Sequence, residues 1–313
     1  MNKTLILASL LTICAVFSRA QCQLDYSRYV PIFTETFDDI DSTSQLGPQW
    51  WQRHVADSVY GQWYGWGSEM WSPDHISFLQ EDGKKFARLF STRLQDTLQC
   101  SGCPAIANYT STKKYVSGML QLMAGEEPGI PGYTYGIFEA SIRLPEDDGA
   151  WSAFWFVGAE HGGKRVEIDV IDNNSEVWKT AVHDWSLGNC GNGLLLEHKT
   201  PGIDLSKDFH LYSIAWTPQK ITYFLDRKEV LTYSNPVLST DCPGAPHLVY
   251  TYPEKVVLLL TLQMVPWTNT EGAHMDIGYV KIYKPCIEVN GACKPPAQLT
   301  ASDYNTTPFI DCR

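Results

Sequence analysis

"RVEIDVIDNN", residues 165–174, sets Glu167, Asp169 and Asp172 among β-branched side chains and closes on an Asn pair. The composition predicts a strand, in which side chains two apart share a face. Glu167 and Asp169 therefore point the same way, and Asp172 points oppositely unless a β-bulge absorbs one extra residue. A row of carboxylates on one face of an antiparallel sheet is costly to bury. The stretch is thus either a solvent-facing acidic stripe that ends at an Asx turn or the wall of a functional cleft.

The segments on either side read the same way. "YGIFEASIRL" (135–144), "AWSAFWFVG" (150–158), "KTAVHDW" (179–185), "HLYSIAWT" (210–217), "KITYFLD" (220–226), "KVVLLLTLQM" (255–264) and "MDIGYVKIY" (275–283) are short, alternating and rich in aromatic and β-branched residues. Turn signals such as "PEDDG" (145–149) and "SNP" (234–236) separate them. This pattern predicts an all-β sandwich or barrel of antiparallel strands. The 210–226 run carries apolar residues on both alternating faces around "TPQK", which predicts a central hairpin covered on each side.

Residues 1–20, MNKTLILASLLTICAVFSRA, combine an early Lys, an apolar run and small residues before a cut, the pattern of a secretory signal peptide. Nothing later reaches the ~20 apolar residues that a membrane span needs. The mature chain, 21–313, carries no linker or repeat and is expected to be a single domain, monomeric and exported to the extracellular space or periplasm. The whole chain has 24 basic and 35 acidic residues, and loss of Lys3 and Arg19 leaves a net charge of about −13. Such a surface disfavours nucleic acid and anionic membranes as partners and leaves neutral sugars unaffected. Eight cysteines remain after Cys14, an even number that points to disulfides in an exported chain. Spacing suggests Cys100 with Cys103 and Cys286 with Cys293; Cys190 with Cys242 is a guess that leaves Cys22 with Cys312.

The order of blocks resembles glycoside hydrolase family 16. "FTETFDD" (33–39), "SEMWSPDHISFLQEDGKKFARL" (68–89) and "YVSGMLQ" (115–121) are similar to its early strands. "EIDVID" falls where that family has its bulged E-x-D-x-x-E signature, as in laminarinase-like members, with Asp172 in place of the last Glu. The resemblance implies a β-jelly-roll of two curved antiparallel sheets with a sugar cleft on the concave side. It implies a secreted endo-acting β-glycan hydrolase, a β-1,3-glucan of laminarin type being the expected polysaccharide substrate, and a retaining mechanism. Glu167 would be the nucleophile, Asp172 the acid/base, and Asp169 the residue that tunes Glu167. His183, Glu69, Trp66, Trp151 and Trp185 would meet the substrate, Trp155 being left open. Ser152, Gly67 and Ser68 depart from the family's usual residues and are expected to alter contacts at inner subsites. No cofactor or catalytic metal is expected; Gly278 replaces an Asp that in many relatives binds structural calcium, which disfavours that ion. Because Asp is one methylene shorter than Glu, a carbohydrate-binding protein that has lost catalysis on the same scaffold, or a secreted adhesion protein, stays open at this point.

Overall fold

The computed structural model describes residues 22–52, 65, 67–100, 112–147, 149–158, 166–173, 178–184, 196–198, 203–234, 237–238, 246–247 and 255–312. Among them two large sheets pack face to face as a β-jelly-roll sandwich. One sheet has seven strands in the spatial order Leu196–His198, Trp178–Asp184, Val166–Asn173, Ala150–Gly158, Val256–Met264, Met119–Leu122 and Trp50–Trp51. The other has twelve, its main path running from Ile310–Cys312 at one edge through Cys22–Leu24, Lys228–Ser234, Lys220–Leu225, His210–Trp216, Gly136–Arg143 and His274–Pro285 to Lys84–Gln99, Thr112–Ser117 and Glu69–Trp71. Strand pairing is antiparallel except where Glu69–Trp71 runs parallel to Thr112–Ser117.

Alternation explains why the sheets stack. Phe154 and Phe156, Ile168, Val182, and Leu258, Leu260 and Leu262 of the smaller sheet meet Phe138, Ile142, Tyr212, Ile214, Trp216 and Tyr223 of the larger one in a single buried cluster. Burial of so much apolar surface is the main force that holds the sheets together. The 210–226 hairpin forms as the sequence predicts, Tyr212 facing Leu225 and Trp216 facing Ile221. It is covered on both faces: Ala215 and Phe224 lie under Leu24 and Phe309 on the side away from the core.

Cys286 and Cys293 form a disulfide. Cys22 and Cys100 are disulfide-bonded too, and Cys22 stands directly opposite Cys312 in the strand register. The expected Cys103 and the guessed Cys190 and Cys242 lie outside the described residues, as does the 1–20 leader. No described helix is long and apolar enough to cross a membrane.

Candidate active site

Four neighbouring strands of the smaller sheet build the site. The acidic strand, Val166–Asn173, pairs with the tryptophan strand, Ala150–Gly158, on one side and the histidine strand, Trp178–Asp184, on the other. The floor strand, Val256–Met264, lies beyond the tryptophan strand.

Register decides which acids meet. Val157 faces Glu167, Phe156 faces Ile168 and Trp155 faces Asp169; the next pair is Phe154 with Ile171, so Val170 has no opposite number. The extra residue is a β-bulge at Val170. Val170 and Ile171 both join the inter-sheet core, and Asp172 comes to stand opposite Ala153. Ala153, Trp155 and Val157 pack together on the face turned away from that core. Glu167, Asp169 and Asp172 therefore share this face, as the bulged reading of 165–174 expects. A bulge leaves backbone groups without ladder partners. The Val170 carbonyl is satisfied from behind the sheet, where the buried Trp178 donates its indole N–H at 2.8 Å.

The side chains on the outer face form a polar row. His183, directly opposite Glu167, places Nε2 3.2 Å from Asp169 Oδ2 and 3.9 Å from Glu167 Oε1. Glu167 and His183 are partly open to solvent, whereas Asp169 is buried. Burial, with a smaller push from the Asp172 charge, holds the Asp169 carboxyl well above the usual carboxylate range. Such burial favours the protonated form of Asp169 over the charged one. Asp172 is half-buried, and Trp151 donates its indole N–H to Asp172 Oδ1 at 2.5 Å. Trp155 shares the face with Trp151 but spends its N–H on Thr261 at 3.2 Å.

Several expectations need correction. Glu69 is fully buried and meets no open surface. Its carboxylate accepts the Met264 N–H at 2.8 Å and the Gly67 N–H at 3.1 Å, so it ties the 65–69 segment to the end of the floor strand instead of touching sugar. Burial raises its pKa to about 7, against the pull of Lys113 and these backbone donors. Gly67 sits there because a Cβ would come within 2.3 Å of the Met264 carbonyl. Ser68 donates to that same carbonyl at 3.0 Å. Ser152 faces the inter-sheet side, opposite Asn173 and Leu262, and so cannot alter an inner subsite. Trp178 is core. Trp66, Trp185 and their contacts lie outside the described residues.

Lys113 is the residue that sequence reasoning missed. It is fully buried, and its ammonium donates to the carbonyls of Gly65 and Gly67 at 2.8 and 2.7 Å. Burial lowers its pKa to about 8 while Glu69 pulls it back up. The signal was present in the alternation of "TKKYVS", which puts Lys113 on the face of Tyr115 and Ser117, both buried.

Residues 128–273 match the family model described as glycosyl hydrolases family 16. They hold all three acids, both tryptophans that hydrogen-bond at the site, and His183. This segment belongs to glycosyl hydrolases family 16. The endo-1,3-1,4-beta-glycanase EglC of Rhizobium meliloti is 24% identical over 80% of this chain and 52% of its own length. ExsH of the same organism, also an endo-1,3-1,4-beta-glycanase, is 26% identical over 54% of this chain and 33% of its own. The beta-glucanase of Rhodothermus marinus is 26% identical over 50% and 59%. The chain thus spans between a third and three fifths of these relatives. Among solved structures, the endo-beta-1,3-glucanase of Pyrococcus furiosus superposes with a TM-score of 0.61 at 20% identity, covering 84% of this chain and 97% of that one. The laminarinase catalytic domain of Thermotoga petrophila does so with 0.58 at 17% identity, covering 82% and 98%. At these identities the structural likeness speaks for the fold, the family 16 jelly roll.

Proposed function

We propose that the chain is a secreted endo-acting glycoside hydrolase that cleaves β-1,3-linked glucan with retention of configuration. The observation that supports this most is the bulge at Val170, which gathers Glu167, Asp169 and Asp172 on one outer face. Retaining hydrolysis asks for two carboxyls with different duties that flank the scissile bond. Glu167 is the nucleophile: it is partly open to solvent and shares its face with the buried Asp169, whose carboxyl burial holds above the usual carboxylate range. Asp172 protonates the departing oxygen and then activates the water that releases the sugar. The Trp151 N–H fixes the direction of its carboxyl. His183 orients Asp169. Gly278 lies at a register shift in the His274–Pro285 strand and offers no side-chain oxygen, so this reading includes no structural calcium at that position.

The substrate comes from the relatives, among them an endo-1,3-1,4-beta-glycanase and a glucan endo-1,3-beta-glucosidase. The polysaccharide partner, monomeric state and exported location belong to the same proposal. Reducing-end release from laminarin and mixed-linkage glucan, with proton NMR of the first product anomer, tests it. Release of β-anomer by the wild type and its loss in Glu167→Gln is the expected result. Release of α-anomer, or no release from any β-glucan, refutes the reading.

A further inference from the structure

We propose that Glu167, Asp169 and His183 form a binding site for a zinc-class divalent cation, and that such a cation and the glycan exclude one another. The binding half stands on geometry alone; the inhibitory half rests on the hydrolase reading above. The three residues each offer one ligand atom, and these atoms all lie within 4.8 Å of one another. Zinc bonds to imidazole nitrogen and carboxylate oxygen are about 2.0–2.2 Å long, so two donors round one ion stand about 3–4 Å apart. His183 Nε2 is 3.2 Å from Asp169 Oδ2 and 3.9 Å from Glu167 Oε1. The two His183 distances match that spacing, and the Glu167–Asp169 pair, within 4.8 Å, has to draw in only slightly for one ion to bind all three.

The strands supply the rigidity that a metal site needs. Glu167 and His183 are a direct cross-strand pair, and Asp169 is the next residue along on the same face. Glu167 and His183 are each partly exposed, so a cation can reach them from outside. The donor set also names the cation class. Calcium wants six to eight oxygens and magnesium a near-ideal octahedron of hard ligands, which one imidazole and two carboxylates do not provide. A mixed nitrogen and oxygen set suits zinc or copper(II). With Glu167 bound to a cation, its oxygen is no longer available to a sugar carbon, so occupancy and turnover are mutually exclusive.

The test uses the purified chain after dialysis against a chelator. Zinc is titrated calorimetrically, and cobalt(II) serves as a visible-absorption probe of the same donors. The expected result is one zinc per chain, a cobalt spectrum that zinc displaces, and inhibition of laminarin hydrolysis by zinc that rises in laminarin relieve. Calcium and magnesium at equal concentration are expected to do neither. His183→Ala, and independently Asp169→Asn in case the first variant misfolds, are expected to weaken zinc binding at least about tenfold. Zinc binding that is unchanged in both variants, each with a wild-type circular dichroism spectrum, overturns the site, as does the absence of one-to-one binding. Stoichiometric binding by a chain that cleaves no glucan upholds the cation site and refutes the hydrolase; cleavage that zinc leaves untouched, with no binding, refutes the cation site alone.

Discussion

Asp172 carries the narrowest tolerance in the molecule. Its carboxyl is one methylene shorter than a Glu at the same position would be, and its direction is set by the Trp151 N–H. Proton transfer falls off steeply with misplacement. Asp172→Glu is therefore expected to raise kcat on laminarin by about tenfold or more, read in steady-state assays with KM little changed; a drop in kcat would show that the pocket is shaped for Asp. Lys113 has the opposite character, a cation in the interior facing Glu69 and two carbonyls. Removing one partner of such a pair strands the other's charge. Lys113→Met is expected to cost about 3–5 kcal/mol in denaturant unfolding, whereas the double variant Glu69→Gln, Lys113→Met should recover much of that loss.

The acidic strand works as an element because of one inserted residue. If Val170 were paired with Phe154 instead of bulged, Ile171 would turn to the outer face and Asp172 toward the core. The indole of Trp178 closes the gap that the insertion opens in the backbone ladder. Trp178→Phe keeps the ring packing against Tyr212 but orphans the Val170 carbonyl. It is expected to lose about 1–3 kcal/mol of stability and to lower kcat with no change in KM, because Asp172 moves while the sugar platform stays. Parity alone announced that a bulge was required if the acids were to meet. What parity could not give was the support behind it, the buried Trp178 on the next strand. Glu69 failed for a similar reason. A single acid in "SEMW" carries no sign of the Met264 N–H and the Lys113 charge that meet it in the fold. The hairpin at 210–226 was readable because apolar residues on both faces of one element admit few other arrangements.

On the scale of the whole molecule, buried acids give the fold a preference for mildly acidic conditions. Glu69 and Asp169 both have folded-state pKa values above their unfolded ones. Each then binds its proton more tightly in the native state, so the stability it contributes is complete below the unfolded pKa and is lost as pH rises toward the folded pKa. For Glu69 that window runs from the ordinary value of 4.5 to about 7, and the loss is on the order of 3 kcal/mol. Thermal melts are expected to fall between these pH values, with a flatter profile in the Glu69→Gln, Lys113→Met variant and in Asp169→Asn. The jelly roll as a class was legible from short alternating segments and turn signals, since their order along the chain constrains how two apolar faces can meet. The loops that decide glucan linkage were not, because their shape follows from contacts and not from periodicity. The pairing of Cys22–Leu24 with Ile310–Cys312 at one border of the larger sheet has a practical outcome: a tether attached near either of these strands would hold the protein by its back, leaving the carboxylate face presented to an insoluble polymer.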